Sequence, residues 1–448
     1  MAKHYDLVVI GAGTAAMGVA MRVRAAGKQV AVIDYRPFGG TCALRGCDPK
    51  KMLVSGAASV DYARRMATHG VAGDVHLDWP TLMAFKRSFT DPVPEKVEQR
   101  YKDKGIDTYH GKARFTGTNV LYVAGESLQA THILIASGAE PVKLGIPGEQ
   151  HLMDSEGFLA LETLPGRIVL VGGGYIAAEF SHIAARAGAK VTILQQGERI
   201  LKGFDADLVG WLMDSFVALG IDVRTKATVE GVEKSGHGYQ VSFSANGNSE
   251  TMEADLVVHA AGRATDFESL NIVAGGIDEE KGRLKLNEFL QSTSNPVVYA
   301  AGDAARMGPP LTPVSSHDAK VVAANILNGN QKTTNYQGVP SVAFTIPPIA
   351  SVGLTEAKAR EKGIKFRMQG QRTPTWFTAR QQAEPIYGFK VLVDEATDLI
   401  LGAHLVGPHV DDVINIFALA IRHGLTAEDL KTTMFAYPTG ASDIGYML

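Results

Sequence analysis

Cysteine is almost absent from this chain: 448 residues contain two, Cys42 and Cys47. That scarcity excludes a disulfide-stapled secreted fold, and a close pair in a reducing compartment reads as metal-binding or redox-active. Charge of one sign is lacking as well. Lys and Arg total 44 against 47 Asp and Glu, a formal net charge of −3. No basic run points to nucleic acid and no acidic tail to a solvating arm. Long apolar runs are also missing, and nothing approaches the roughly 20 residues that cross a bilayer. The opening run Leu7-Val8-Val9-Ile10 is shorter than a signal-peptide core and leads into glycines rather than a cleavage site. The expectation is a cytoplasmic protein with neither a membrane nor a nucleic-acid partner.

Length and glycine are plentiful. The chain is too long for one ordinary domain and suggests two to four. Many of its 48 glycines mark two copies of one design. The first runs from the apolar Leu7–Ile10 through Gly11-Ala12-Gly13-Thr14-Ala15-Ala16 into a helical stretch ending at Gly27. The second runs from Ile168–Val171 through Gly172-Gly173-Gly174-Tyr175-Ile176-Ala177 into one ending at Gly188. Each is followed by a second apolar strand, Val30–Ile33 and Val191–Leu194. In such a strand–turn–helix the first glycine permits the tight turn and the second lets backbone approach a pyrophosphate. The small third residue packs helix on strand, and the free N–H groups of the helix start face the phosphates. One such turn is weak as a signal; two in matching context predict two dinucleotide-binding units.

Asp34 ends the second strand of the first unit, 23 residues past Gly11, where an acid hydrogen-bonds an adenosine ribose. The second unit has no acid there. Its strand ends Leu194-Gln195-Gln196, with Arg199 and Lys202 following. Basic residues attract a 2′-phosphate that an acid would repel, so NADPH is expected over NADH; the other reading of Arg199 and Lys202 is a solvated loop face, with Glu198 partly cancelling them. Further strands lead to Gly262-Arg263 and to Gly302-Asp303. From about Tyr336 strand-like and helical runs alternate without a fingerprint, as in an α+β domain.

The cysteines lie in Gly39-Gly40-Thr41-Cys42-Ala43-Leu44-Arg45-Gly46-Cys47-Asp48-Pro49-Lys50-Lys51. In a regular helix a spacing of five turns the second side chain about 140° away and separates the Cα atoms beyond the ~7 Å reach of a disulfide. A bridge therefore needs a distorted turn, for which Gly46 loosens the backbone and Pro49 removes an N–H. A helix start with Arg45, Lys50 and Lys51 nearby favours thiolate. Two buried free thiols or a zinc half-site are the other readings. Zinc is disfavoured, because no third cysteine or clustered histidine pair accompanies them.

These motifs resemble the pyridine nucleotide–disulfide oxidoreductases, the family of glutathione reductase, dihydrolipoamide dehydrogenase and mercuric reductase. The similarity spans the chain: Gly11–Ala16, Gly39–Lys51, Ala136-Ser137-Gly138-Ala139-Glu140-Pro141, Gly172–Glu179, Gly262-Arg263, Tyr299–Asp303 and Leu311-Thr312-Pro313-Val314. It implies an α/β fold with two Rossmann-like domains, for FAD and NAD(P)H, and a C-terminal α+β dimerisation domain. The segments expected are 1–147 and 266–334 for FAD, 148–265 for NAD(P)H and 335–448 for the interface of a homodimer. Gly11, Gly13, Thr14, Ala16, Asp34, Gly40, Thr41, Ala113, Ser137, Gly138, Gly302, Asp303, Leu311, Thr312 and Pro313 would hold FAD. Gly172, Gly174, Tyr175, Ile176, Glu179, Arg199, Lys202, Gly262 and Arg263 would hold the nicotinamide cofactor. By the same resemblance Cys47 faces the flavin, Cys42 faces the substrate, and Lys51 lies beside the flavin paired with Glu179.

The resemblance fails at the C-terminus. Where the family carries His-Pro-Thr-x-x-Glu across the dimer interface, this chain reads Tyr437-Pro438-Thr439-Gly440-Ala441-Ser442-Asp443. An ordinary tyrosine, with a pKa of about 10, is no general base near neutrality but can donate a proton. Tyr437 is thus a proton donor to the leaving thiolate or a packing residue, with Asp443 a candidate acid. Arg45, Asp48 and Lys50 replace small or apolar residues, and Arg45 either binds an anionic substrate or is solvated. The chain ends Tyr446-Met447-Leu448 without the cysteine pair of mercuric reductase, so mercury reduction is disfavoured. The reading is an NAD(P)H-dependent disulfide reductase acting on a small molecule. A flavin reductase of quinone, metal ion or thioether and, third, a redox sensor are the rivals.

Overall fold

The computed structural model describes residues 2–448. It divides into two compact units, Met1–Lys50, Phe85–Val142 and Arg263–Tyr336 in the first, and Lys51–Ala84, Lys143–Gly262 and Gln337–Leu448 in the second.

In the first unit the apolar run at the start becomes the central strand Lys3–Ile10. It pairs in parallel with Val30–Asp34 on one side and Glu126–Ile135 on the other. Its Leu7–Val9 stretch is fully buried, as expected of a strand covered on both faces. Register sets Ile10 against both Ile33 and Ile135, so the carboxyl ends of the three strands share one edge. Asp107–His110 extends the sheet beyond Val30–Asp34, and Val298–Ala300 joins Glu126–Ile135. Ligands of open parallel sheets bind outside this carboxyl edge. The chain leaves the central strand there through Gly11, whose N–H donates to the Ile33 carbonyl at 2.7 Å, and enters the helix Thr14–Ala25.

The second unit repeats that layout. Arg167–Val171 pairs in parallel with Lys190–Gln195 and Leu256–His259. The Gly172 N–H donates to the Leu194 carbonyl at 2.8 Å before the helix Tyr175–Arg186. The C-terminal part is a five-stranded antiparallel sheet, in the order Ser341–Ala343, Ile349–Gly353, Ile400–Val406, Gly388–Asp394 and Phe366–Arg372. The helix Val410–His423 buries Val413, Ile414, Phe417 and Ile421, the one-face spacing of an amphipathic helix, in this layer's core.

A buried ionic cluster ties the elements of the second unit together. Asp61 accepts from Arg186 at 2.7 Å and 3.0 Å through one oxygen and from Arg65 at 2.8 Å through the other. Arg65 also lies 3.6 Å from Glu384. The helix Cys47–Arg65 is thus fastened to Tyr175–Arg186 by charge as well as by packing.

Candidate redox and cofactor-binding sites

The distortion that the cysteine spacing requires is present. One helix runs Gly40–Arg45 and ends at Gly46, whose backbone (φ −147°, ψ −107°) is non-helical. A second helix, Cys47–Arg65, starts immediately after it. Both cysteines are free thiols, Cys42 half-buried and Cys47 open. From the far end of the first unit, Thr312 donates its hydroxyl to Cys42 Sγ at 3.1 Å and lies 3.5 Å from Cys47 Sγ. The thiols also hydrogen-bond to each other. That contact pulls Cys47 down to about 6, with help from Thr312 and Lys50, and pushes Cys42 up, with burial adding to the rise. The pair therefore holds one proton unequally at neutral pH: Cys47 is the thiolate at a helix start and Cys42 the thiol.

The carboxyl edge of the first sheet forms a cradle suited to a dinucleotide. A Cβ on Gly11 (φ +107°) would meet the Ala136 carbonyl oxygen at 2.3 Å, and one on Gly40 (φ +73°) would meet Gly13 Cα at 2.3 Å. Only glycine permits these approaches, which lay bare the backbone at the starts of Thr14–Ala25 and Gly40–Arg45. Asp34 accepts from the backbone N–H of Ala12 at 2.8 Å and of Arg36 at 3.0 Å, while burial raises its carboxyl. Arg45 points inward: its Nε is shielded from solvent and its charge acts on Asp34. Asp303, raised by burial, faces the charges of Arg263 and Arg306, and the Gly302 N–H donates to Asp318 at 3.0 Å. Arg263 donates to the Ala139 carbonyl. Thr265, absent from the sequence reading, donates to the Gly138 carbonyl at 2.9 Å. Ala16, Thr41, Ala113, Ser137, Leu311 and Pro313 belong to this unit too. An FAD fits these residues.

The second fingerprint lies in the second unit. A Cβ on Gly172 (φ +112°) would meet the Ala260 carbonyl oxygen at 2.3 Å, and Gly174 begins the helix that carries Tyr175, Ile176 and Glu179. Tyr175 packs edge-on against Phe204 at 5.6 Å, and Glu179 accepts from the Phe344 N–H at 2.8 Å. Lys51 lies 3.8 Å above the Phe344 ring and 3.4 Å from Asp411, a residue the sequence reading passed over. Phe344 therefore links the lysine to the glutamate. Arg199 folds onto its own loop, donating to the carbonyls of Leu201, Lys202 and Phe204 at 2.9–3.1 Å. Gly262 closes this unit with φ +117°.

Tyr437 is 80% exposed. Asp443 is buried and accepts from the Tyr387 hydroxyl at 2.7 Å. Beside them lies a cavity of about 470 Å³ lined by Gln381, His409, Asp412, Pro438 and Thr439 among others. Among the described residues no group of His, Cys, Asp or Glu is arranged to hold a metal ion. Among the described residues no helix is long and apolar enough to cross a membrane.

Comparison with known proteins identifies the family. Residues 5–319 match the pyridine nucleotide-disulphide oxidoreductase family, and residues 339–447 match its dimerisation domain. The chain is 33% identical over 452 residues to a mercuric reductase of Lysinibacillus sphaericus, covering 98% of this chain and 81% of that one. It is 32% identical to a glutathione reductase of Burkholderia cepacia, covering 98% and 97%. It is also 32% identical to a dihydrolipoyl dehydrogenase of Bacillus subtilis (strain 168), covering 97% and 93%. The Cu(II) complex of the HOCl-induced flavoprotein disulfide reductase RclA from Escherichia coli superposes with a TM-score of 0.90 at 28% identity, covering 100% and 99%. The chain belongs to the pyridine nucleotide–disulphide oxidoreductases, enzymes that use FAD and NAD(P)H.

Proposed function

We propose that this enzyme draws electrons from NADPH to reduce a small disulfide-type acceptor, working as a homodimer in which Tyr437 of the partner subunit takes the place of the usual histidine. The unequal dithiol carries this reading: one thiolate and one thiol share Thr312. FAD, when bound, supplies the two-electron transfer between nicotinamide and dithiol. The remaining steps belong to side chains. Cys42 passes its proton to Cys47 through their mutual hydrogen bond and attacks a sulfur of the acceptor, forming a mixed disulfide and releasing one thiolate, which takes that proton from Cys47. The Cys47 thiolate then attacks Cys42 Sγ, releases the second thiolate and closes the Cys42–Cys47 disulfide. Two electrons leave the pair; its one proton goes to the first product thiolate, and Tyr437, recharged from solvent, protonates the second. Cys42 attacks as the thiolate only when its proton is held by Cys47, and in that state its more basic sulfur is the better nucleophile.

Tyr437 meets the protonation need from the donor side. Tyr437→Phe is expected to lower turnover with a disulfide acceptor roughly a hundredfold, the lower end of a general acid's contribution. The rate of flavin bleaching by NADPH should stay the same. Stopped-flow and steady-state rates measured side by side test this, and equal turnover would make Tyr437 a packing residue. For the nicotinamide cofactor, Lys202 is the base left to meet a 2′-phosphate, because Arg199 is engaged with its loop. Lys202→Ala should raise KM for NADPH about tenfold, as for loss of a charge-assisted contact, and leave KM for NADH unchanged. A lower KM for NADH in the unaltered enzyme would overturn the NADPH assignment.

A second reading has a soft metal ion as acceptor. Relatives named mercuric reductase and an RclA structure described as a Cu(II) complex favour it, and thiolates suit soft ions. An anaerobic assay separates the two readings: the NADPH-reduced enzyme is offered low-molecular-weight disulfides, then Hg(II) or Cu(II), then quinones, and reoxidation is timed.

A further inference from the structure

In the second unit Tyr387 stands just before the strand Gly388–Asp394, and Asp443 lies in the short turn of helix Gly440–Tyr446; both are buried. The tyrosine hydroxyl donates to the carboxylate at 2.7 Å. Its ring is held from two sides. Trp376 packs edge-on with centroids 6.1 Å apart, and Gly407 makes room for it, since a Cβ there would meet Tyr387 Cδ2 at 2.4 Å. Burial, and then the charge of Asp443, push the phenol up, so it remains a donor throughout the physiological range. From Asp443 the hold passes along the chain to Tyr437. Ser442 donates its N–H to Thr439 Oγ1 at 3.3 Å and its hydroxyl to the Thr439 carbonyl at 2.6 Å. Thr439 Oγ1 donates in turn to the Ala436 carbonyl at 2.6 Å. Tyr437 thus sits in a loop closed on itself between Ala436 and Ser442, with the Asp443 carboxylate at its inner end. Gly440 seats that loop on the helix Val410–His423, where a Cβ would meet Val413 Cγ2 at 3.1 Å. Tyr437 itself is exposed, so the backbone of this loop sets where its hydroxyl stands.

We propose that Tyr387 is a positioning residue for Tyr437, acting through Asp443 and the loop that Thr439 and Ser442 close. The inference rests on the proposed role of Tyr437 as proton donor. Asp443 is then no substitute for the glutamate of the family. A carboxylate beside Tyr437 would hold that phenol protonated and weaken it as a donor. Turned into the core, Asp443 fixes the backbone under the tyrosine and leaves its acidity alone. The pair also explains why a tyrosine, rather than a phenylalanine of the same shape, fills position 387 beside Trp376.

The experiment uses the full-length holoenzyme, reduced anaerobically with NADPH and mixed with hydroxyethyl disulfide, and times the loss of the thiolate–flavin absorption. Tyr387→Phe should be reoxidised roughly tenfold more slowly, within the ~10²-fold that a misplacement of about 1 Å costs. In a Tyr437→Phe background it should add less than about a twofold further loss, because residues that act through one hydroxyl are not additive. A nitroaryl disulfide, whose leaving thiolate is stable without a proton, should reoxidise the parent and Tyr387→Phe alike. Asp443→Asn keeps an acceptor for the tyrosine and should retain the parent's rate. Tyr387→Phe/Asp443→Leu removes the bond without stranding a buried carboxylate, so it should fold and be as slow as Tyr387→Phe. Parent rates in both Tyr387→Phe and the double variant would overturn the proposal. So would equal slowing toward the nitroaryl disulfide, dissociation of the variants into monomers, or an additive loss in the Tyr437→Phe background, because each marks a general effect on structure. Asp443→Asn as slow as Tyr387→Phe would overturn it too, since the carboxylate charge and not the bond to Tyr387 would then set the rate. A Tyr437→Phe enzyme as fast as the parent would instead overturn the donor role of Tyr437 itself and this proposal with it.

Discussion

Replacing Cys42 by serine is expected to abolish turnover of disulfide acceptors, by at least roughly 10³-fold as for loss of a nucleophile, while NADPH still bleaches the flavin. Cys47→Ser should stop turnover equally, and the two variants should differ in their spectra. The long-wavelength absorption between a thiolate and the flavin should survive in Cys42→Ser and vanish in Cys47→Ser. If the band survives in Cys47→Ser, the roles are exchanged. The geometry adds a pH signature. Cys47 is pulled down to about 6 chiefly by its contact with Cys42, with Thr312 and Lys50 contributing. In the reduced parent enzyme the band should therefore fade as pH falls through about 6. In Cys42→Ser, where a hydroxyl replaces the main partner, the midpoint should move up toward the ordinary thiol value of about 8.5. The sign for stability follows. The folded value lies below the unfolded one, so the thiolate's contribution is complete above about 8.5 and is lost as pH falls through about 6.

Turn chemistry was legible in the sequence because it is local. Gly11 and Gly172 each follow an apolar strand, and each donates its N–H to the neighbouring strand at nearly the same distance, 2.7 Å and 2.8 Å. The break at Gly46 between the cysteines was legible for the same reason, since a spacing of five cannot be bridged along an unbroken helix. Side-chain direction was not legible, because it is set by contacts far along the chain. The Thr312 hydroxyl reaches Cys42 across 270 positions, and Asp411 reaches Lys51 across 360. Arg45 and Arg199 stood in the sequence as bases open to an anion. The fold turns the first toward Asp34 and spends the second on three carbonyls of its own loop. Asp443, a candidate for the missing acid, is taken by Tyr387. No periodicity distinguishes an acid that faces a tyrosine in its own core from one that faces a substrate.

Asp61→Ala is expected to cost the second unit about 3–5 kcal/mol, the range for breaking a buried ion pair from one side. Arg186, its side chain 4% exposed, would keep its bonds to the Ile346 and His182 carbonyls but lose its nearest countercharge. The adjacent His182 offers no charge, since burial holds its imidazole well below the usual range. Glu384 remains, and it gives the loss a pH dependence. Burial pushes it up to about 7 and Asp61 adds repulsion, so removing Asp61 lets Glu384 ionise at lower pH. It then becomes the substitute countercharge for Arg65 and Arg186. The penalty should therefore be smaller at pH 8 than at pH 6, as measured by urea midpoints of the two proteins. Arg186→Met in the Asp61→Ala background should recover most of the loss, because a matched apolar pair replaces a buried ion pair at little cost. The cycle also has a functional arm. Arg186 ends the helix that begins with Tyr175 and carries Glu179, so KM for the nicotinamide cofactor should rise in Asp61→Ala and return with stability in the double variant. A loss below about 1 kcal/mol at both pH values would mean that backbone carbonyls alone satisfy Arg186, and that the helices Cys47–Arg65 and Tyr175–Arg186 are held by packing alone.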